Sequence, residues 1–143
     1  MAGAGSSRHL IEIEPSVDHL GRVRDFVESQ LQAIGFSPDA TGDLVLAVDE
    51  AVSNVVEHGF RGRAGTIAVE VVAGREVCAV RISDDAPLFD PTRGDDSPLP
   101  VSPLEREEPG GYGLFLVRRL VDRLSYRITE DGRNELSLLK RRP

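Results

Sequence analysis

The sequence predicts an α+β fold: a two-layer sandwich of a mostly antiparallel, mixed sheet with helices on one face. Three observations predict it. The elements run in the order strand, helix, helix, two strands, long loop, helix, two strands, with no internal repeat. Both strand pairs are joined by tight turns, at residues 73–75 and 131–132, which make hairpins and not parallel crossovers. Each helical stretch is apolar along one stripe only, and a sheet is the natural cover for such stripes.

Residues 8–13 alternate Leu10 and Glu12 with Ile11 and Ile13 and read as a short strand. Ser16 or Asp18 then caps a helix running to about Ile34, with Leu20, Val23, Val27, Leu31 and Ile34 on its buried face. Gly35 ends it. Ser37, Pro38 and Asp39 form the connection to a second helix over about 39–58. Gly59, Gly62 and Gly65 mark a turn-rich loop. Strands follow at 66–72 and 76–83. Residues 84–109 are proline-rich and acidic with little periodicity, too long for an ordinary connector, and read as a functional lid or a disordered insert. A helix starts near Gly113 with Leu114, Val117, Val121 and Leu124 as its stripe, and strands at about 125–129 and 135–139 close the fold.

The 143 residues fit one domain, 8–143, after a small, polar N-terminus, 1–7, expected to be disordered. Hydrophobic residues make up 40% and charged residues 29%, as in ordinary globular proteins. No apolar stretch is long enough for a bilayer and no signal-peptide pattern opens the chain, so the expectation is a cytoplasmic protein with no membrane partner. The single Cys78 excludes a disulfide framework or a cysteine metal site. Net charge is −7, and residues 84–108 hold eight acids against Arg93 and Arg106. An acidic chain argues against a nucleic-acid partner. The basic end at Lys140, Arg141 and Arg142 reads as a solvated tail.

The second helix is the most informative segment. Leu44, Val45, Val48, Ala51, Val52, Val55 and Val56 form one broad apolar face, while Asp43, Glu50, Asn54, Glu57 and His58 gather opposite. Glu50 and Asn54 are one turn apart, so a carboxylate and a carboxamide point the same way. The first can serve as a general base and the second can bind Mg²⁺. An ordinary solvated helix face has the same composition.

Two more patterns follow. Asp84, Asp85, Ala86, Pro87, Leu88, Phe89, Asp90 and Pro91 come directly after an apolar strand. A carboxylate there can accept a hydrogen bond from an exocyclic amine such as the N6 of adenine; the same residues also make a plain turn. Gly110, Gly111, Tyr112 and Gly113 immediately precede a helix. Glycines let the backbone approach a phosphate, and a helix start offers free N–H groups; the alternative is a flexible loop before a helix. No Lys follows, so this is not a Walker A loop, and no βαβ unit surrounds it, which makes a dinucleotide fold an unsuitable reading.

Taken in order, DEAVSNVVEHG, DDAPLFDP and GGYGLFLVRRLVD resemble the N box and the two glycine boxes of the GHKL ATPases. Within that superfamily the chain looks most like the small stand-alone serine/threonine kinases that act as bacterial anti-sigma factors, from about residue 10 to 140 and with a length expected to leave no space for another catalytic domain. The resemblance implies a Bergerat-type ATP-binding fold with a lid around 91–112. It implies ATP and Mg²⁺ as cofactors, Asn54 as the metal ligand and Glu50 as the catalytic base. Asp84 would receive the adenine amine. Gly110, Gly111 and Gly113 would wrap the phosphates, with Tyr112 and Leu114 beside them. His58, Ala86 and Phe89 complete the implied nucleotide contacts. Asn134 stands near the adenine site, where the superfamily often has Thr, placed to hydrogen-bond a water near Asp84.

The implied partners are an anti-anti-sigma antagonist as substrate, a sigma factor, and a second copy of the chain in a homodimer. One departure is Ala86, where the family has glycine: its methyl could crowd the nucleotide or demand a φ that alanine disfavours. Two other readings stand beside the kinase. One is a histidine-kinase catalytic module acting in trans, and the other is a nucleotide-sensing module that sequesters a partner without phosphoryl transfer. A bland α+β domain without a ligand is the third, disfavoured by three ordered boxes.

Overall fold

The computed structural model describes residues 7–93 and 111–142. Strand β1 (Ser7–Ile13) leads through a 3-10 turn (Val17–His19) into α1 (Leu20–Ala33). Ser16, and not Asp18, caps that turn, accepting the Asp18 N–H at 3.1 Å, so α1 begins one turn later than its capping signal suggested. Gly35 ends the helix with φ 77. The Phe36 N–H reaches Leu31 O and the Gly35 N–H reaches Gln32 O, the paired bonds of a Schellman stop.

Helix α2 (Pro38–Asn54) starts with Ser37 as its N-cap and Pro38 in its first turn. It does not continue as an α-helix to His58: at Val55 the chain widens into a π-helical segment, Val55–Phe60. Strands β2 (Ile67–Ala73) and β3 (Val77–Asp84) follow. Helix α3 (Gly111–Leu120) precedes β4 (Arg123–Ile128) and β5 (Asn134–Arg141).

The sheet order is β1-β2-β3-β5-β4, and all four ladders are antiparallel, so the mixed element expected of the sheet is not present among the described strands. Period-2 alternation sends Ile11, Val69, Ile82, Leu136 and Tyr126 to one face, in register with one another. The helices lie there, and Val23, Val27, Leu31, Leu44, Val48, Val52, Val117 and Leu138 seal the core with almost no exposure. The next row along the same face runs Ile13, Ile67, Asp84, Asn134 and Ile128. Two polar residues therefore stand at the end of an otherwise apolar surface, both buried.

Helix α3 also ends earlier than its apolar stripe. Lys140 Nζ takes the Leu120 carbonyl at 2.7 Å, and the Asp122 N–H bonds to Leu139 O. The chain is thus captured by β5 after Leu120, and Leu124 sits on β4 and not on the helix. Among the described residues no helix is long and apolar enough to cross a membrane.

Candidate functional site

The site begins at the junction of α2 with its π segment. A π insertion adds a residue to a turn and re-aims the side chains around it, and such insertions gather at functional sites. Asn54 is the last α-helical residue before the change. Glu50, one turn earlier, and Asn54 are both half-buried. Among the described residues neither side chain has a hydrogen-bond or ion-pair partner, which leaves both polar groups to a ligand. His58 lies in the π segment, its ring beside Glu57 at 3.7 Å and its carbonyl accepting from Arg61 Nε. The segment closes on Arg61, the only non-glycine with positive φ among the described residues, followed by Gly62 at φ 84.

The first glycine box meets this segment. A Cβ built on Gly59 would lie 3.5 Å from Ala86 Cβ. The Ala86 methyl therefore packs on Gly59 and is buried in the core, and Ala86 is free of positive φ. The concern that this position demands a φ alanine disfavours is therefore absent. Gly65 is required by close approach: a Cβ there would fall 2.3 Å from Phe60 Cε1 and 2.6 Å from Asp85 Oδ1. Asp85 faces away from Asp84's role, because its Oδ1 accepts the Thr66 N–H at 2.9 Å and latches the loop leading into β2.

Asp84, the last residue of β3, is 4% exposed. Its Oδ1 accepts the Ala86 N–H at 3.0 Å and Asn134 Nδ2 at 2.9 Å. Among the described residues its Oδ2 has no partner, and it is not sealed off: the only fully buried side-chain polar atom there that lacks a partner is Thr41 Oγ1. Burial pushes the Asp84 carboxyl above its ordinary value, against the pull of Asn134, the Ala86 amide and Arg133.

Asn134 is the clasp of the site. Its Nδ2 also donates to Ala86 O at 3.1 Å and Pro87 O at 3.3 Å, and its Oδ1 accepts from the Phe89 N–H at 3.0 Å and from the Tyr126 hydroxyl. It bonds Asp84 directly, not through a water, and every polar atom of its side chain is engaged by protein. Tyr126 was not singled out by the sequence; a tyrosine alternating into the apolar face of β4 carries no local sign of its distant partner.

The remaining expected contacts divide. Phe89 is 71% exposed, and Leu114 is buried in the core. Gly111, Tyr112 and Gly113 form the first residues of α3 and are part of the helix, not of a loop ahead of it. Gly110 and most of the expected lid lie outside the described residues. Helix α3 packs on α2. Cys78 is excluded as a nucleophile: burial raises its thiol to about 11, only partly offset by Arg142.

Among the described residues no cluster of three or more His, Cys, Asp or Glu side chains can hold a metal by itself. That donor set fits Mg²⁺, which commonly takes one or two protein oxygens and completes its shell with phosphates and water. Asn54 Oδ1 would serve as such an oxygen.

Comparison with known proteins finds relatives in sequence and in fold. The chain is 38% identical over 96 residues to the serine/threonine-protein kinase BtrW of Bordetella bronchiseptica, covering 66% of each protein. It is 41% identical over 92 residues to the serine-protein kinase RsbW of Listeria monocytogenes, covering 62% of this chain and 59% of that one. The alignments thus span less than two thirds of these relatives' own lengths. In fold, the chain resembles the crystal structure of the RsbU and RsbW domains of Rv1364c from Mycobacterium tuberculosis, with TM-score 0.64 and 22% identity over 96% of this chain and 33% of that one. A family model described as the histidine kinase-like ATPase domain matches residues 13–140, and the chain belongs to that family.

Proposed function

We propose that this protein is an ATP-dependent serine/threonine protein kinase that acts as an anti-sigma factor. Its substrate would be an anti-anti-sigma antagonist, and the sigma factor would be its second partner in a cytoplasmic partner switch, with the kinase working as a homodimer. One observation carries the nucleotide part of this reading: Asp84 is buried, fixed through Oδ1, and left among the described residues with no partner for Oδ2. An acceptor held in this way suits an exocyclic amine and opposes a carbonyl in the same place, which selects adenine over guanine. The names of the relatives, serine and serine/threonine kinases, support the transfer part.

Phosphoryl transfer depends on positioning and charge neutralisation more than on covalent chemistry. Asn54 would hold Mg²⁺, which when bound neutralises phosphate oxygens. Glu50, one helical turn away and without a protein partner, would accept the proton of the attacking hydroxyl. The backbone N–H groups opening α3 at Gly111 would face the phosphates with the positive end of the helix dipole. The nucleotide-sensing alternative drew on Ala86, whose methyl packs on Gly59 and whose φ is not positive.

The test is transfer of labelled γ-phosphate to the cognate antagonist. Glu50→Gln is expected to reduce transfer by roughly a hundredfold or more while sparing nucleotide affinity. Asn54→Ala is expected to abolish the Mg²⁺-dependent part of ATP binding. Transfer that survives Glu50→Gln would remove the base assignment. Tight nucleotide binding with no transfer to any hydroxyl would leave a binding module.

A further inference from the structure

We propose that Asn134, braced by the hydroxyl of Tyr126, is the positioning residue of base selection: it holds the Asp84 carboxylate ready to accept an exocyclic amine and touches no part of the nucleotide itself. This inference rests on the proposed nucleotide site and assigns a task within it.

The pairing is built into the sheet. Asp84 and Asn134 stand directly opposite each other in the β3–β5 ladder, so their side chains leave the same face as close neighbours. Both are buried, where a polar group without a partner is costly. Tyr126 lies two positions further along that face, opposite Leu136 on β5, which makes it the diagonal neighbour of Asn134. An aromatic side chain spans such a diagonal, and its hydroxyl donates to Asn134 Oδ1.

A carboxamide has two hydrogens to give and one oxygen with two lone pairs. In Asn134 all of them are engaged by protein. Nδ2 donates to Asp84 Oδ1 at 2.9 Å, and Ala86 O at 3.1 Å and Pro87 O at 3.3 Å share its hydrogens. Oδ1 accepts from the Phe89 N–H at 3.0 Å and from Tyr126. A ring nitrogen of a base, or a water leading to it, could be met only by breaking one of these bonds. The same bonds decide which way the amide points. Turned over, it would set its oxygen against a carboxylate and two carbonyls, and its NH₂ against the Phe89 N–H. Burial, helped by the nearby Asp90, pushes the Tyr126 hydroxyl above its ordinary 10, so the brace keeps its proton at neutral pH.

The consequence falls on Asp84. Asn134 and the Ala86 N–H both hold Oδ1, which keeps the carboxylate from turning and directs its other oxygen to a ligand. These two donors and Arg133 also draw the group toward its ionised form, against burial and Asp85. Ionised, it can only accept. Protonated, it could also give a hydrogen to a carbonyl, and the distinction between amine and carbonyl would blur. Asn134 thus sharpens selection without a contact of its own.

The test compares three triphosphates that differ at one position of the purine. ATP carries the amine there, inosine triphosphate a carbonyl and purine riboside triphosphate a hydrogen. Affinities are measured by calorimetry on the full chain with Mg²⁺, and the readout is the preference for ATP over each analogue, which a change in fold stability alone does not move. The parent should prefer ATP by roughly tenfold or more. Asn134→Ala should lower ATP affinity by roughly tenfold and leave that of purine riboside triphosphate within about twofold, which erases the preference. Because this variant removes five bonds from a buried site, Tyr126→Phe, which removes one, carries the test where the first does not fold. It should reduce the preference by roughly threefold and melt within a few degrees of the parent. In the Asp84→Asn background it should reduce the preference no further, since it acts through Asp84. Equal weakening of all three nucleotides in either folded variant, a parental preference in Tyr126→Phe, or an additive loss beyond Asp84→Asn would overturn the proposal and leave the nucleotide site standing. A parent that binds all three alike, or none, would remove the acceptor role of Asp84 and this inference with it.

Discussion

Asp84 shows how one side chain bears on stability and, in the proposed site, on selectivity. Its carboxyl is raised above the ordinary 3.8, chiefly by burial. The folded state therefore holds this proton more tightly than the unfolded chain does. The stability tied to the group is complete below 3.8 and is lost as pH climbs through the raised folded value. At neutral pH the ionised carboxylate is consequently a cost to the fold. Asp84→Asn keeps an oxygen to accept from Asn134 and the Ala86 amide and removes that cost. The variant should melt at a higher temperature than the parent at neutral pH, and the gap should narrow as pH falls toward 3.8. Its affinity for ATP should drop by roughly tenfold to a hundredfold, since an amide cannot replace a carboxylate acceptor toward an amine. Melting curves across pH and calorimetric titration with ATP check the two halves separately. A variant that melts lower at neutral pH would reverse the sign assigned here. Gly65 is the opposite kind of residue, important for what it lacks. Its missing Cβ leaves space for Phe60 and Asp85, and Gly65→Ala should cost about 1–3 kcal/mol in denaturant unfolding.

At the scale of elements, the useful comparison is between where helices were expected to stop and where they do. The apolar residues of α2 run through Val55 and Val56 without a break in the sequence, so their periodicity gives no sign of the switch. The stripe of α3 likewise continues through Val121 and Leu124, yet the helix stops at Leu120 because a side chain from β5 caps it. Lys140, the chain's sole lysine, binds the Leu120 carbonyl and lies 3.6 Å from Asp43 of α2, joining three elements at one point. It had read as part of a solvated basic tail. Lys140→Met should lower stability by about 1 kcal/mol, loosening the last turn of α3 before any other element. Hydrogen exchange of the amides near Leu120 measures this directly; unaltered protection there would show that the cap contributes nothing. The strands were legible to within a residue or two, because alternation and hairpin turns are local signals. The clasp by Asn134 was not, since its bonds to Asp84, Ala86 and Phe89 cross 45 to 50 positions of chain.

For the whole molecule, three segments far apart in sequence have a common reason to be held together. The π segment touches the first box through Gly59 and Ala86, β5 grips that box through Asn134, and α3 packs on α2. Much of this arrangement was legible as an order of boxes, because each box carries its own residue pattern; how tightly the first box is tied down was not. A nucleotide bound among these segments would bridge them, and binding to the folded state alone stabilises it by RT ln(1 + [L]/Kd), about 2.7 kcal/mol at a hundredfold excess over Kd. For a domain of this size that corresponds to a melting shift on the order of 5–10 °C. ATP with Mg²⁺ should produce such a shift, GTP a much smaller one, and chelation of the metal should reduce the ATP effect to that seen for Asn54→Ala. The separation matters, because in the proposed site Asn54→Ala and Asp84→Asn would act on opposite ends of the same ligand. Loss of the metal response with adenine selectivity intact in the first, and the converse in the second, would locate the triphosphate at the α2 junction and the base at the sheet end. Identical losses in both variants would mean that the two residues do not face one bound molecule.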